Sequence, residues 1–287
     1  MLLFGEYTVL NGTKALAIPF EKYSGRWIYE KGHSSGYEIQ KLKQYLLSLY
    51  YEGKMKDFDF DDLEHQIAKG LAFDSTVPQG YGLGSSATVT AAIFDGFRKE
   101  KKLLTINELR KKLGLIESCY HGSSSGLDPL VCYLNQPVLI HDADNVELID
   151  KQNEEIDATL YLLDTKMPRR TAPLVDAYLK TYELSEEFRK RIDEISEINN
   201  QLIDDYLQNN VGSFINEFQK LSRAQLNYLK IIIPEKYVEL WIQGHKTGSF
   251  DMKICGAGGG GFMMLMIYDH KTANEILKGE ELISINN

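Results

Sequence analysis

The 287-residue chain is poor in cysteine and has no excess of positive charge. Its three cysteines, Cys119, Cys132 and Cys255, lack the paired spacing that metal sites use, and an odd number without a pairing pattern fits reduced thiols in a cytoplasm. They are expected to serve packing and not catalysis. Basic residues number 32 against 41 acidic ones, a net charge of −9. Non-specific nucleic-acid binding draws on basic patches that displace counterions, so this balance argues against it. It leaves room for a nucleotide, because a local backbone site holds phosphate even inside an acidic protein. No apolar run approaches the length of a membrane span. No charged start, apolar stretch and small-residue cleavage site mark a signal peptide. Internal repeats and low-complexity linkers are also absent. The length suits one large domain or two modest ones, and 43% hydrophobic residues suffice for a core.

What the chain does have is glycine in three concentrated places. The first is Gly5-Glu6-Tyr7 after Leu3-Phe4. The second runs from Pro78 through Gly80, Gly82, Leu83, Gly84, Ser85 and Ser86 to Ala87. The third runs from Lys253 to Gly261. In the second, glycines let a ligand approach the main chain, and Ser85-Ser86 open a helical pattern. Unpaired N–H groups and the helix dipole at such an end attract phosphate, and a serine hydroxyl there can bond a phosphate oxygen or ligate Mg²⁺. Alone, the segment reads equally well as a capped glycine turn. It is neither a Walker loop nor a dinucleotide fingerprint. The third segment has glycine at five of the six positions 256–261. In an ordinary element each would cost roughly 0.5–1 kcal/mol relative to alanine, so close approach to a ligand or to another loop must require them.

Two carboxylates stand out. Asp128, framed by Gly126 and Pro129, is a candidate base or metal ligand, although a turn aspartate bonding its own backbone is the commoner fate. Glu117 closes a helical pattern eleven residues earlier. Around these, strands are predicted at residues 2–5, 15–18, 26–29, 138–140, 160–163 and 262–267. Helix is predicted over about 36–75, after the glycine-serine segment with Val89, Ile93 and Phe97 on one face, from a capping box at Thr105 to Glu108 with Ile106, Leu109, Leu113 and Ile116 beyond, and over about 173–230. The stripes Phe188, Ile192, Ile195, Ile198, Leu202 and Phe214, Phe218, Leu221 read as buried helix faces. The early strands and late helices predict an α+β fold split near residue 150, with domains at 1–150 and 151–287.

Taken together, the three segments resemble the motifs of the GHMP kinases, in that family's order and across the whole chain. Two more segments are similar to those of mevalonate kinases: His121-Gly122 with Ser125-Gly126-Leu127-Asp128, and Asp164 to Thr171, which includes Lys166, Arg169 and Arg170. By composition that second segment would be a surface basic cluster, or equally a holder of an anionic substrate. The resemblance implies a two-lobed fold, with a ribosomal-S5-like N-terminal lobe and a ferredoxin-like C-terminal lobe and the site between them. It implies a cytoplasmic ATP- and Mg²⁺-dependent kinase of isoprenoid biosynthesis acting on a small alcohol, with no nucleic-acid or membrane partner and a homodimer left open. It also implies roles: Asp128 as base; Gly80, Gly82, Leu83, Gly84, Ser85, Ser86 and Ala87 around the ATP phosphates; Ser85, Ser86 and Glu117 on Mg²⁺; and Glu6, Tyr7, Gly256, Ala257, Gly258 and Gly259 at the acceptor. Phosphomevalonate or a sugar as acceptor, and a non-catalytic nucleotide-binding relative, are the competing readings.

The resemblance departs at two points. The family's lysine before Leu-Phe-Gly would fall just ahead of Met1, and the chain is expected to begin one short segment late. Tyr7 replaces the family's histidine after Gly-Glu, and a phenol cannot become a cation.

Overall fold

In a computed structural model the local signals resolve into regular elements. It describes residues 1–30, 39–78, 80–81, 83–99, 103–122, 124–142, 145–149, 156, 159–168 and 171–285. Strands are β1 (Leu2–Phe4), β2 (Ala15–Ala17), β3 (Gly25–Tyr29), β4 (Leu71–Ser75), β5 (Val138–Ile140), β6 (Val146–Leu148), β7 (Leu160–Asp164), β8 (Phe250–Ile254), β9 (Phe262–Ile267) and β10 (Glu281–Ser284). Helices are α1 (Ile39–Tyr51), α2 (Phe60–Ala68), α3 (Ser85–Phe97), α4 (Ile106–His121), α5 (Leu127–Leu134), α6 (Thr171–Leu184), α7 (Glu186–Leu207), α8 (Val211–Tyr228), α9 (Glu235–Thr247) and α10 (His270–Ile276). The mixture is α+β, as predicted.

The chain divides into two compact units. One comprises Met1, Pro19–Pro78 and Leu83–Gln136. It holds the antiparallel pair β3-β4, with Trp27 opposite Phe73, and helices α1 to α5. Val89, Ile93 and Phe97 on α3 are buried, as are Leu42, Leu46 and Leu49 on α1. Each such side chain removed from water contributes about 1.5–3 kcal/mol. The Thr105 capping box closes reciprocally: the Glu108 N–H donates to Thr105 Oγ1 at 3.3 Å and the Thr105 N–H to Glu108 Oε2 at 2.8 Å. The helical prediction over 36–75 fails at Leu71–Ser75. Those residues form β4 because Leu71, Ala72 and Phe73 find a partner strand some 45 residues upstream, a pairing no local pattern displays.

The other unit comprises Leu2–Ile18, Gln79–Gly82 and Pro137–Asn287. It carries two antiparallel sheets, ordered β1-β2-β5-β6 and β10-β7-β9-β8. Strands β8 and β9 are buried at every position; β9 reads as a continuous apolar run, whereas β8 alternates apolar residues with Asp251 and Lys253, whose charged side chains pair with His245 and Glu6. The α7 and α8 stripes are core: Ile192, Ile195, Leu202, Phe214, Phe218 and Leu221 are buried, and Phe4 meets Phe214 edge-on at 5.7 Å. Behind β8, Ser222 Oγ accepts from Trp241 Nε1 at 2.7 Å and from the Met252 N–H at 3.2 Å, so the buried indole is satisfied. Among the described residues no helix is long and apolar enough to cross a membrane.

Candidate active site

Within the first unit the end of the glycine-serine segment, Leu83 to Ala87, lies with Glu117 and Asp128. Gly84, at φ +73°, ends the loop and begins α3, and no side chain caps that helix. The Gly84 carbonyl accepts from the Thr88 N–H at 3.0 Å and from Thr88 Oγ1 at 2.9 Å, so the first turn is pinned from inside. Ser86 Oγ donates to Glu117 Oε1 at 2.8 Å, and Ser124 Oγ donates to Glu117 Oε2. The family-like segment around residues 121–128 is held against α4 by two glycines. A Cβ on Gly126 would lie 2.1 Å from the Arg110 carbonyl oxygen, and one on Gly114 would lie 3.1 Å from that of Ser124. This contact sets Ser124 over Glu117 and starts α5 so that Asp128 stands beside the loop; a Cβ on Gly84 would lie 3.7 Å from that of Asp128.

Glu117 is buried, and its carboxyl is held above the usual carboxylate range, first by burial and then by the neighbouring charge of Asp128; the hydroxyls of Ser124 and Ser86 only partly offset this. Two carboxylates with serine hydroxyls, crowded together, form an all-oxygen donor set suited to a hard divalent cation. No group of three or more His, Cys, Asp or Glu gathers among the described residues.

Next to this cluster, inside the same unit, is a cavity of about 300 Å³. Phe20, Tyr23, Val77, Leu83, Thr88 and Cys132 are among its lining residues. Leu83 and Thr88 bracket the start of α3, and Cys132 is one turn beyond Asp128 on α5. Cys132, expected from the sequence to serve packing, is instead exposed in this cavity. Phe20 and Tyr23 lie outside regular elements and carry no periodic signal.

The second unit gathers the other two segments. Lys253, fully buried, donates to Glu6 Oε1 at 2.6 Å and to the Ile254 carbonyl at 2.8 Å. Burial holds the Glu6 carboxyl above its usual range in spite of that lysine. Tyr7, at φ +66°, donates its hydroxyl to the Ala257 carbonyl at 2.7 Å and packs its ring 4.6 Å from that of Tyr178. The glycine run is close-packed by neighbouring loops: Cβ atoms on Gly258, Gly260 and Gly261 would lie 2.7, 2.4 and 2.6 Å from the carbonyl oxygens of Ile232, Met167 and Tyr81. The N–H groups of Gly259 and Gly261 donate to Ile232 and Met167, each at 2.7 Å. Of the two requirements that the glycines admit, close approach to another loop is met. Gly80, at φ +78°, belongs to this unit. Lys166 is exposed and bonds Asp164 and Glu281. Gly82, Arg169 and Arg170 lie outside the described residues, as does the side chain of His121.

Residues 48–136, the stretch with the loop's helix, Glu117 and Asp128, match the family model described as the GHMP kinases N terminal domain. A mevalonate kinase crystal structure superposes with a TM-score of 0.63 at 21% identity, covering 98% of this chain and 95% of that one. The Streptococcus pneumoniae phosphomevalonate kinase in complex with phosphomevalonate and AMPPNP superposes at 0.64 with 16% identity, covering 98% and 95%. Fold, motif order and the family match over residues 48–136 agree, and the chain is similar to the GHMP kinases. Within that class it is similar to mevalonate kinases. The enzyme of that name from Pyrococcus horikoshii is 24% identical over 308 residues, covering 92% of this chain and 85% of the relative.

Proposed function

We propose that the protein transfers the γ-phosphate of ATP to a hydroxyl of a small alcohol, with mevalonate as acceptor. The observation that carries this reading is the Ser86–Glu117–Asp128 cluster at the uncapped start of α3, beside a cavity large enough for a nucleotide base. The base enters that cavity. The loop from Gly80 to Ala87 surrounds the phosphates with main-chain N–H groups and the dipole of α3. Glu117, Ser85 and Ser86 would hold Mg²⁺, which when bound would neutralise charge on the phosphates. Asp128 orients the acceptor hydroxyl and takes its proton as the oxygen attacks. Phosphoryl transfer needs little else from protein groups, because its transition state is stabilised chiefly by positioning and charge. Resemblance to the family's motifs supports an acceptor role for Glu6, Tyr7 and the stretch Gly256 to Gly259. The named relatives favour mevalonate. Tyr7, with its hydroxyl already bonded to Ala257, favours a second reading in which the acceptor is another small alcohol that needs no cation at this position.

The test is ADP release from Mg-ATP measured with mevalonate, phosphomevalonate, homoserine and galactose in parallel. Turnover with mevalonate alone supports the first reading, and turnover with another acceptor supports the second. ATP binding with no turnover on any of them would leave a nucleotide-binding protein and end the kinase reading.

A further inference from the structure

We infer that Tyr178, on helix α6, is a positioning residue for the acceptor, because it clamps Tyr7 against the glycine run. This role rests on the acceptor role proposed above for Tyr7 and Gly256 to Gly259. Every residue that carries it lies within the second unit.

Helix α6 is thinly anchored. From Pro173 to Leu184, Tyr178 alone is buried. Leu174 and Tyr178 stand four positions apart and so share one face of the helix. Each reaches a different acceptor segment. Leu174 meets the glycine run, where a Cβ on Gly259 would lie 2.6 Å from Leu174 Cδ1. Tyr178 meets Tyr7, with ring centroids 4.6 Å apart and planes tilted by 44°. Its hydroxyl also accepts from Asn11 Nδ2 at 2.6 Å, at the end of the 3-10 turn Thr8–Asn11 that follows Tyr7.

Tyr7 is the residue that such a clamp would serve. Its φ of +66° and ψ of −42° are uncommon for a residue other than glycine. Strained positions persist where the surroundings over-determine them, and they cluster where function requires a fixed geometry. The hydroxyl bond to the Ala257 carbonyl, at 2.7 Å, fixes the far end of the side chain, and the ring of Tyr178 packs on its body. The competing account is that Tyr178 only pins α6 to α7, since its ring also meets that of Phe188 edge-on at 5.7 Å. That explains the burial. It does not explain why the same side chain bonds Asn11, 167 positions away, and stacks beside a strained tyrosine of the acceptor segment. Loosening Tyr178 therefore frees Tyr7 and its hold on Ala257. The Ser86–Glu117–Asp128 cluster belongs to the other unit, so ATP affinity is expected to stay as it was.

The experiment measures KM for ATP and for whichever of mevalonate, phosphomevalonate, homoserine and galactose the wild-type chain turns over, in Tyr178→Met and Tyr178→Phe. Tyr178→Met loses the aromatic pair and is expected to raise the acceptor KM about tenfold, with the KM for ATP unchanged. Tyr178→Phe keeps the ring and should recover most of that loss. Equal rises in both KM values overturn the inference. So does an acceptor KM in Tyr178→Met that matches the wild type, or a Tyr178→Phe variant as impaired as Tyr178→Met. If Tyr178→Met does not fold, Leu174→Ala, at the helix's other contact, takes its place with the same expectation. Deuterium exchange on the ligand-free full chain reads the clamp without turnover: the amides of Tyr7 to Asn11 and Gly256 to Gly259 should exchange faster in Tyr178→Met than in Tyr178→Phe. If the wild type turns over none of the four acceptors, the kinase reading falls and exchange alone decides this one; equal rates in the two variants overturn it.

Discussion

Asp128 and Glu117 differ in environment, and that difference divides their work. Asp128 is half-buried at the edge of the loop, where we propose that it meets the acceptor hydroxyl; Glu117 is buried and bonded by two serines. Asp128→Asn removes the proton acceptor and keeps the shape, so turnover is expected to fall by about 10²–10⁴ with ATP affinity nearly unchanged. Retained turnover removes Asp128 from the role of base. Glu117→Gln is expected to raise the Mg²⁺ concentration for half-maximal turnover by about tenfold or more, since even outer partners of metal ligands are worth about 10–100-fold. Without Mg²⁺ the same variant should melt no lower than the wild type, because a buried charge and its repulsion from Asp128 have gone. An unchanged metal requirement counts against Glu117 as a ligand. Both residues were legible in the sequence by their place in a family-like motif. Ser124 was not, because its contact with Glu117 exists only once the 124–126 backbone lies against α4.

At the scale of elements, the α4–α5 connection is decisive. Gly126, at φ +75° and 2.1 Å from a carbonyl oxygen at its virtual Cβ, cannot accept a side chain without moving Ser124 and Asp128 together. Gly126→Ala is expected to destabilise the protein by about 1–3 kcal/mol in urea titration and to lower turnover in the same variant. Full turnover with full stability would mean that the backbone there is not constrained as described. Helix α5 also sets Cys132 in the cavity that we assign to the base, and this thiol is exposed. Maleimide labelling at Cys132, located by mass spectrometry, should slow when Mg-ATP is present; undiminished labelling would place the base elsewhere. Helices of this kind announced themselves through period and capping, as α3 and α4 did. Strand β4 did not, because strand character there comes from β3 across the pair.

At the scale of the molecule, the second unit joins residues from the two ends of the chain. Glu6 and Lys253, 247 positions apart, form a fully buried ion pair. Breaking such a pair from one side leaves an uncompensated charge and costs about 3–5 kcal/mol, whereas replacing both partners with neutral groups is far milder. Lys253→Met alone should lower stability by that order in denaturant titration, and Glu6→Gln/Lys253→Met should recover much of it. Additive losses in the two single variants and the double would show that the pair is not coupled. From the sequence, Glu6 and Lys253 were parts of two motifs; nothing in their spacing said that one neutralises the other.

The sequence alone carried the fold class, the resemblance to the GHMP kinases and the helix after the glycine-serine segment, because periodicity, capping and motif order are local properties written in consecutive residues. The tertiary structure decided which groups meet. It set Ser124 on Glu117, spent the glycine run on neighbouring carbonyls, opened a cavity beside α3 and packed Tyr178 on Tyr7. Each of these depends on contacts between distant residues, and a local pattern holds no record of distance in space.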